Sequence, residues 1–235
     1  MAKNLENLEK KLGLKFKNKN LLHQALIHRS YLNEHPEEKL PHNERLEFLG
    51  DAVLEFVITE YLYKNYSKPE GVLTSWRASL VNTAMLSKIA KEISLDRYLF
   101  LSRGELLSFS KKSKLSILAD TLEALIGAIY LDQGMKETKK FIEKIIISKL
   151  LLILKYKLYQ DPKSKFQELA QGDFKITPFY KVLKEEGPDH AKKFTVGVFL
   201  KENLIAKGKG GSKQEAEINA AQKALKKYKT LNLKL

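Results

Sequence analysis

The sequence predicts an all-α domain followed by a small α+β domain of order α-β-β-β-α. Three observations carry this. Residues 1–155 place apolar side chains at helical spacing in block after block. Near Gln160-Asp161-Pro162 the period changes, and alternating, strand-like segments follow. The charge density changes at the same place: residues 156–235 carry 17 lysines against 9 acids, a net +8, whereas the longer first part carries only +6.

In the first part the helical segments are Leu21–His28, Asn43–Tyr63, Thr74–Lys91, Ser116–Tyr130 and Lys136–Tyr156. Breakers separate them: His35-Pro36, Pro41, Lys68-Pro69-Glu70-Gly71, Ser102-Arg103-Gly104 and Gln133-Gly134. Leu107–Lys114 is polar and reads as a mobile loop. In the second part, Asp161 caps and Pro162 opens a helix over Lys163–Gln171. Phe179–Glu185, Lys193–Leu200 and, more weakly, Asn203–Gly208 alternate as strands, with Gly187-Pro188 as a turn. A last helix spans Ser212–Lys227, with Ser212 and Glu215 spaced as a capping box. The expected boundaries are a first domain over 1–155, a linker over 156–160 and a second domain over 161–229.

Composition excludes several classes. Apolar residues make up 43% of the 235, enough for a core. With no cysteine there is no disulfide framework, thiolate metal site or thiol nucleophile. The greasiest run, Ile145–Leu154, is half the length of the about 20 residues a membrane span needs, and it contains Lys149. The N-terminal residues carry charges where a secretory signal would be apolar. A net charge of +14 favours a polyanionic partner.

The chemistry concentrates in two segments. In NERLEFLGDAVL (Asn43–Leu54), an advance of about 100° per residue puts Glu44, Glu47 and Asp51 on one helical face, among Leu46, Phe48, Leu49, Ala52 and Val53. Glu55 shares that face, so spacing does not choose the members. In SILADTLEALIGAIY (Ser116–Tyr130), Asp120 and Glu123 share a face of a helix that is otherwise apolar nearly all round, which marks it as buried. Ala119, Ala124, Gly127 and Ala128 would let a neighbour approach closely. Packed together, the two helices would bring four of these carboxylates into a protein interior. Such acids are either salt-bridged, with Arg45 and Arg77 as available partners, or they hold a hard divalent cation, Mg²⁺ being the abundant one. Mg²⁺ on a basic, polyanion-binding protein would suit phosphodiester hydrolysis.

NERLEFLGDAVL resembles the signature of the ribonuclease III family. LLHQALIHRSY (Leu21–Tyr31), EGVLTSWRASLVN (Glu70–Asn82) and LADTLEALIGAIYLDQG (Leu118–Gly134) are similar to further blocks of its nuclease domain. DPKSKFQELAQG (Asp161–Gly172), GPDHAKKF (Gly187–Phe194) and GKGGSKQEAEINAAQKAL (Gly208–Leu225) resemble a double-stranded-RNA-binding domain. The resemblance covers nearly the whole chain, in the bacterial order. It implies a ribonuclease III-like endonuclease domain and a double-stranded-RNA-binding domain, working as a cytoplasmic homodimer.

The resemblance implies that Glu47, Asp120 and Glu123 ligate Mg²⁺, with Mn²⁺ as a substitute. Asp51 would help organise the attacking water, and Glu44 would support from the cleft. It puts Phe48 where the family has an aromatic knob at the dimer interface. It implies cleavage of both strands, leaving 5′-phosphate and 3′-hydroxyl ends with short 3′ overhangs, and substrates among ribosomal-RNA precursors and structured messenger RNAs. For duplex binding it points to Ser164, Gln167, Glu168 and Gln171 in one minor groove, His190 in the next, and Lys213 on the intervening phosphates. A-form RNA offers shape rather than a readable major groove, and a helix N-terminus bearing a lysine is a natural phosphate site.

Three positions depart from the pattern. Ile27 stands for a common threonine, and Trp76 for a smaller residue. Gln214 stands for the second of two lysines, with Lys207 and Lys209 upstream as substitutes. Two other classes compete with this reading. A pure duplex-RNA-coating protein would be expected to have lost a ligand carboxylate. A surface-membrane protein would use Ile145–Leu154 as an amphipathic anchor, but that run is more simply a core helix.

Overall fold

The computed structural model describes residues 4–108, 111–188 and 192–228. The chain divides into two compact units, Met1–Tyr159 and Gln160–Leu235.

The first unit is helical. A short α1 (Leu5–Leu12) that periodicity did not reveal is capped by the Asn4 side chain and closed by Gly13 in the left-handed region, φ +71°. α2 (Lys19–Ala25) and α3 (Arg29–Glu34) follow, tied to the strand-like Ile27–Phe100 bridge. The signature segment forms α4 (Glu44–Asn65). The helix expected over Thr74–Lys91 is two, α5 (Glu70–Val81) and α6 (Thr83–Glu92). Asn82 breaks the run: its backbone is extended, ψ 152°, and its side chain accepts from Met85 N at 2.9 Å, beginning a new helix.

α7 (Arg103–Ser108) and the start of α8 (Lys111–Ile145) replace much of the loop expected over Leu107–Lys114; residues 109–110 lie outside the described residues. α8 is interrupted at Gly134, φ +77° and ψ 177°. The Lys136–Tyr156 helix is likewise divided, by a tight turn at Ile147–Lys149 that precedes α9 (Leu150–Tyr156). Ile146, Ile147, Leu150 and Ile153 are buried in this stretch, so one side of its apolar run serves the core, while Leu151 and Leu152 are exposed. Among the described residues no helix is long and apolar enough to cross a membrane.

The centre of the unit is the crossing of α4 and α8. Leu46, Val53, Leu54, Val57, Ile58 and Leu62 of α4 meet an α8 whose Leu118, Leu122, Leu125, Ile126 and Ile129 are fully buried. Two glycines set the approach. A Cβ on Gly50 would lie 1.8 Å from the Glu123 carbonyl oxygen, and one on Gly127 would lie 2.2 Å from that of Leu46. The backbones touch there, and no side chain fits between them. Trp76 is buried edge-on against Tyr66 and Tyr159.

The second unit is α10 (Pro162–Phe174), β1 (Phe179–Glu186), β2 (Lys193–Leu200), β3 (Asn203–Gly210) and α11 (Lys213–Tyr228). The strands form an antiparallel sheet in the order β1-β2-β3, with a bulge at Leu183. Asp161 accepts from Ser164 N at 2.9 Å. Ser212 accepts from Glu215 N at 3.1 Å while the Glu215 carboxylate takes Gly211 N at 2.8 Å, so the cap reaches one residue further back than a capping box. Phe166, Ala170, Val198, Leu200, Ala206, Ala220 and Ala224 form the core. Gly208 lets α11 approach β3, since a Cβ there would meet the Ala216 carbonyl oxygen at 2.1 Å.

Candidate active site

The glycine crossing decides where the acids go. Gly50 lies between Glu47 and Asp51 on α4, and it rests on the Glu123 carbonyl of α8. Glu47, Asp120 and Glu123 are thereby brought together, each half-buried, each offering a carboxylate oxygen within 4.8 Å of the others. They sit at the rim of the helix crossing and not in the interior that the apolar surroundings suggested. The backbones are too close at the glycines to enclose side chains, so the acids splay toward solvent. Asp51 and Glu44 are exposed beside them.

The electrostatics follow from the geometry. Glu123 is pushed up to about 8, mainly by burial and then by Asp51, Asp120 and Glu47. Glu47 is raised by burial, then by Asp120, Glu44 and Asp51. Burial also raises Asp120. Among the described residues no lysine, arginine or histidine pairs with Glu47, Asp51, Asp120 or Glu123. Their neighbours are paired instead. Arg77 holds Glu55 at 2.9 Å, while Arg29 and His42 stand 3.5 and 3.8 Å from Glu44. Glu55, which spacing could not exclude, is thus an ion-pair residue, and Arg45 pairs with none of the acids. Three half-buried oxygen donors without a counter-charge suit a hard dication.

The side of α4 turned away from the core is different. Phe48 is 81% exposed, and with Ala52, Phe56, Thr59 and Tyr63 it makes an exposed stripe along the helix. Beside Tyr63 a cavity of about 410 Å³ opens between α4 and α5, lined also by Leu62, Leu73 and Arg77.

On the second unit, Ser164, Gln167, Glu168 and Gln171 form one exposed stripe of α10. Ser164 Oγ donates to Asp161, and Gln171 donates to Thr177 Oγ1 at 3.0 Å. Lys213 starts α11, exposed, 3.3 Å from Glu185 and over the Phe194 ring. His190 lies outside the described residues. Lys207 and Lys209 alternate with Ala206 and Gly208, which face α11, so they belong to the other face of the sheet. They do not substitute at the helix start for the lysine missing at Gln214.

Sequence reasoning missed Gly50 and, beyond Phe48, the exposed α4 stripe. A glycine in mid-helix, between two acids, was the available signal for the first.

Residues 18–150 match the family model described as Ribonuclease-III-like, and residues 162–228 match the double-stranded RNA binding motif. The protein named Ribonuclease 3 from Borreliella burgdorferi is 46% identical over 234 residues, covering 99% of this chain and 93% of that one. Ribonuclease 3 of Carboxydothermus hydrogenoformans is 45% identical over 227 residues, 96% of each chain. A solved nuclease domain of ribonuclease III from Campylobacter jejuni, concerned with flexibility in a region involved in dimer formation, is 44% identical. It superposes with a TM-score of 0.52 over 60% of this chain and 98% of its own.

Proposed function

The chain belongs to the ribonuclease III family of double-strand-specific endoribonucleases, and we propose that it hydrolyses duplex RNA at a Mg²⁺ site formed by Glu47, Asp120 and Glu123. The observation that carries the site is the convergence of these three carboxylates, within 4.8 Å and without a cationic partner among the described residues. What Mg²⁺ supplies when bound, with Mn²⁺ as a substitute, is activation of water and neutralisation of charge developing at the phosphoryl oxygens.

The side chains do the rest. Glu47, Asp120 and Glu123 would hold the cation through their carboxylate oxygens. Asp51, exposed beside Glu123, orients that water through a carboxylate oxygen. Glu44, braced by Arg29 and His42, holds the edge of the cleft. Water adds to phosphorus, the bond to the 3′ oxygen breaks, and that oxygen takes a proton, leaving 5′-phosphate and 3′-hydroxyl ends. Ser164, Gln167, Glu168, Gln171, His190 and Lys213 grip the duplex.

The working form is a homodimer joined through the Phe48–Tyr63 stripe, which is too apolar to leave in water. The neighbouring cavity can take an aromatic ring of the partner. Two centres related by a twofold axis then cut the two strands with a short 3′ stagger. Structured transcripts, including ribosomal-RNA precursors and folded messenger RNAs in the cytoplasm, are the fitting substrates.

Glu123→Gln tests the site. Cleavage of a duplex with Mg²⁺ falls on the order of 10³-fold, while retention of the same duplex in chelator is unchanged. Undiminished turnover overturns the assignment.

A further inference from the structure

The sheet of the second unit has two faces, and only one is packed. Val198, Leu200 and Ala206 point into the core against α10 and α11. By alternation Thr195, Gly197 and Phe199 point the other way. The register aligns that outer face in three rungs: Phe179–Phe199–Leu204, Lys181–Gly197–Lys207 and Lys184–Thr195–Lys209. Leu183, at the bulge, joins the same face.

The first rung is apolar and open to water. Phe179 and Phe199 stack with centroids 5.1 Å apart and planes within 9°. Phe179 is 47% exposed, and Leu204 and Leu183 are nearly as open. Gly197 makes the cluster possible: a Cβ there would lie 2.8 Å from both the Phe199 ring and Leu204, so the apolar groups close over a bare backbone. The other two rungs carry four lysines. Lys184 pairs with Glu186 at 2.6 Å. Lys181, Lys207 and Lys209 make no ion pair among the described residues.

A solvated sheet face carrying lysines is ordinary. An exposed stack of two phenylalanines and two leucines beside them is not. The order of the rungs adds direction. The Lys184–Lys209 rung lies at the end of the sheet that leads to the Gly187-Pro188 turn and to Lys213. The aromatic rung lies about 14 Å further along the strands. A polyanion entering from the turn end meets lysines first and flat apolar rings last. The polymer with both phosphates and free flat faces is a single-stranded nucleic acid, which beside a bound RNA duplex is single-stranded RNA; in a duplex the base faces are hidden.

We propose that this outer sheet face binds single-stranded RNA continuing from a duplex held by the same unit. Its phosphates run along the lysine rungs, and a base extends the Phe179–Phe199 stack. The proposal rests on the duplex-binding reading given above.

The test titrates the full chain, in chelator so that nothing is cut, with three labelled probes: a blunt duplex, the same duplex with a short oligouridine extension, and the extension alone. The extension tightens duplex binding about tenfold, as one well-stacked base should. Lys181→Gln with Lys207→Gln, and separately Phe179→Ser, each remove most of that gain and leave blunt-duplex affinity as it was. Equal binding of blunt and extended duplexes by the unaltered chain overturns the proposal. So do variants that leave the gain intact or weaken both probes alike. Displacement of the extension by polyglutamate as readily as by oligouridine also overturns it, because the face would then be a docking site for acidic protein. Failure to hold even the blunt duplex is a different result and sinks the duplex-binding reading instead.

Discussion

The two units handle charge in opposite ways. On the first, α4 and α8 push three carboxylates together at a backbone contact and leave them without counter-charge among the described residues. On the second, lysines are spread over an exposed sheet face and a helix start, several rung-lengths apart. Concentrated like charge stores unfavourable energy that one small dication can relieve. Dispersed charge costs little and suits a long, flexible polyanion whose counterions are released on binding. A chemical centre and a gripping surface therefore differ in how much geometric precision the fold must impose. The crossing needs it to fractions of an ångström, whereas the lysines do not.

The largest expected effect follows from that precision. Gly50→Ala would drive a methyl into the Glu123 carbonyl. The unit can fold only by moving α4 from α8, at a cost of about 3 kcal/mol or more. In calorimetry the transition of the first unit drops by about 10 °C, that of the second stays, and cleavage falls with the loss of the carboxylate cluster. A single shift shared by both transitions would show that the units are not energetically separate. Removing residues 161–235 is the complementary cut. Duplex affinity falls on the order of 10²-fold and its salt dependence flattens, while slow cleavage survives at low salt and high Mg²⁺. Cleavage lost under every condition would mean that the gripping unit also helps build the centre.

How far these contrasts could be read in advance differs in the same way. Asn43–Leu54 and Ser116–Tyr130 gave the helices and the acids by spacing alone, because a period of about 3.6 residues is local physics. What spacing could not give was which side meets which. Phe48 and Leu46 are both apolar and two residues apart, yet one is 81% exposed and the other buried. The rim position of Glu47, Asp120 and Glu123 depended on Gly50 meeting the Glu123 carbonyl, a contact across more than 70 residues of sequence. Asn82 went unread because apolar periodicity ran through it, and only its cap hydrogen bond to Met85 divides α5 from α6. In the second unit the order of elements was legible, but the three rungs required the register and the bulge at Leu183.

The burial and crowding of these acids have a pH signature. Glu123 rises from 4.5 to about 8 in the folded chain. Between those values the native state holds a proton that the unfolded state has released, so unfolding expels it and stability falls as pH rises. His28, held below its ordinary range chiefly by burial, works in the opposite direction but only in the acid range. From pH 7 to about 8 the carboxylate dominates, and in chelator the melting temperature of the first unit declines across that interval. Glu123→Gln flattens the decline. Mg²⁺ must displace the same proton, so its affinity rises by up to about tenfold per pH unit and levels off near 8. A flat metal-free profile would show that Glu123 is solvated well enough to ionise normally.

The smallest effect belongs to Lys213, and it sharpens the contrast from the dispersed side. Its ammonium is exposed, 3.3 Å from Glu185, at the N-terminal end of α11 where free backbone N–H groups also favour an anion. Exchanging Glu185 for a phosphate is nearly even for the lysine, so Lys213→Ala weakens duplex binding only about three- to tenfold. The salt slope should fall by about one counterion. Glu185→Gln should act oppositely, freeing Lys213 and tightening binding slightly at low salt, with cleavage per bound duplex unaltered in both variants. Were Lys213→Ala instead to lower turnover of saturating duplex, that lysine would be helping to aim the substrate at the acids, and the separation of gripping from chemistry would fail at its simplest point.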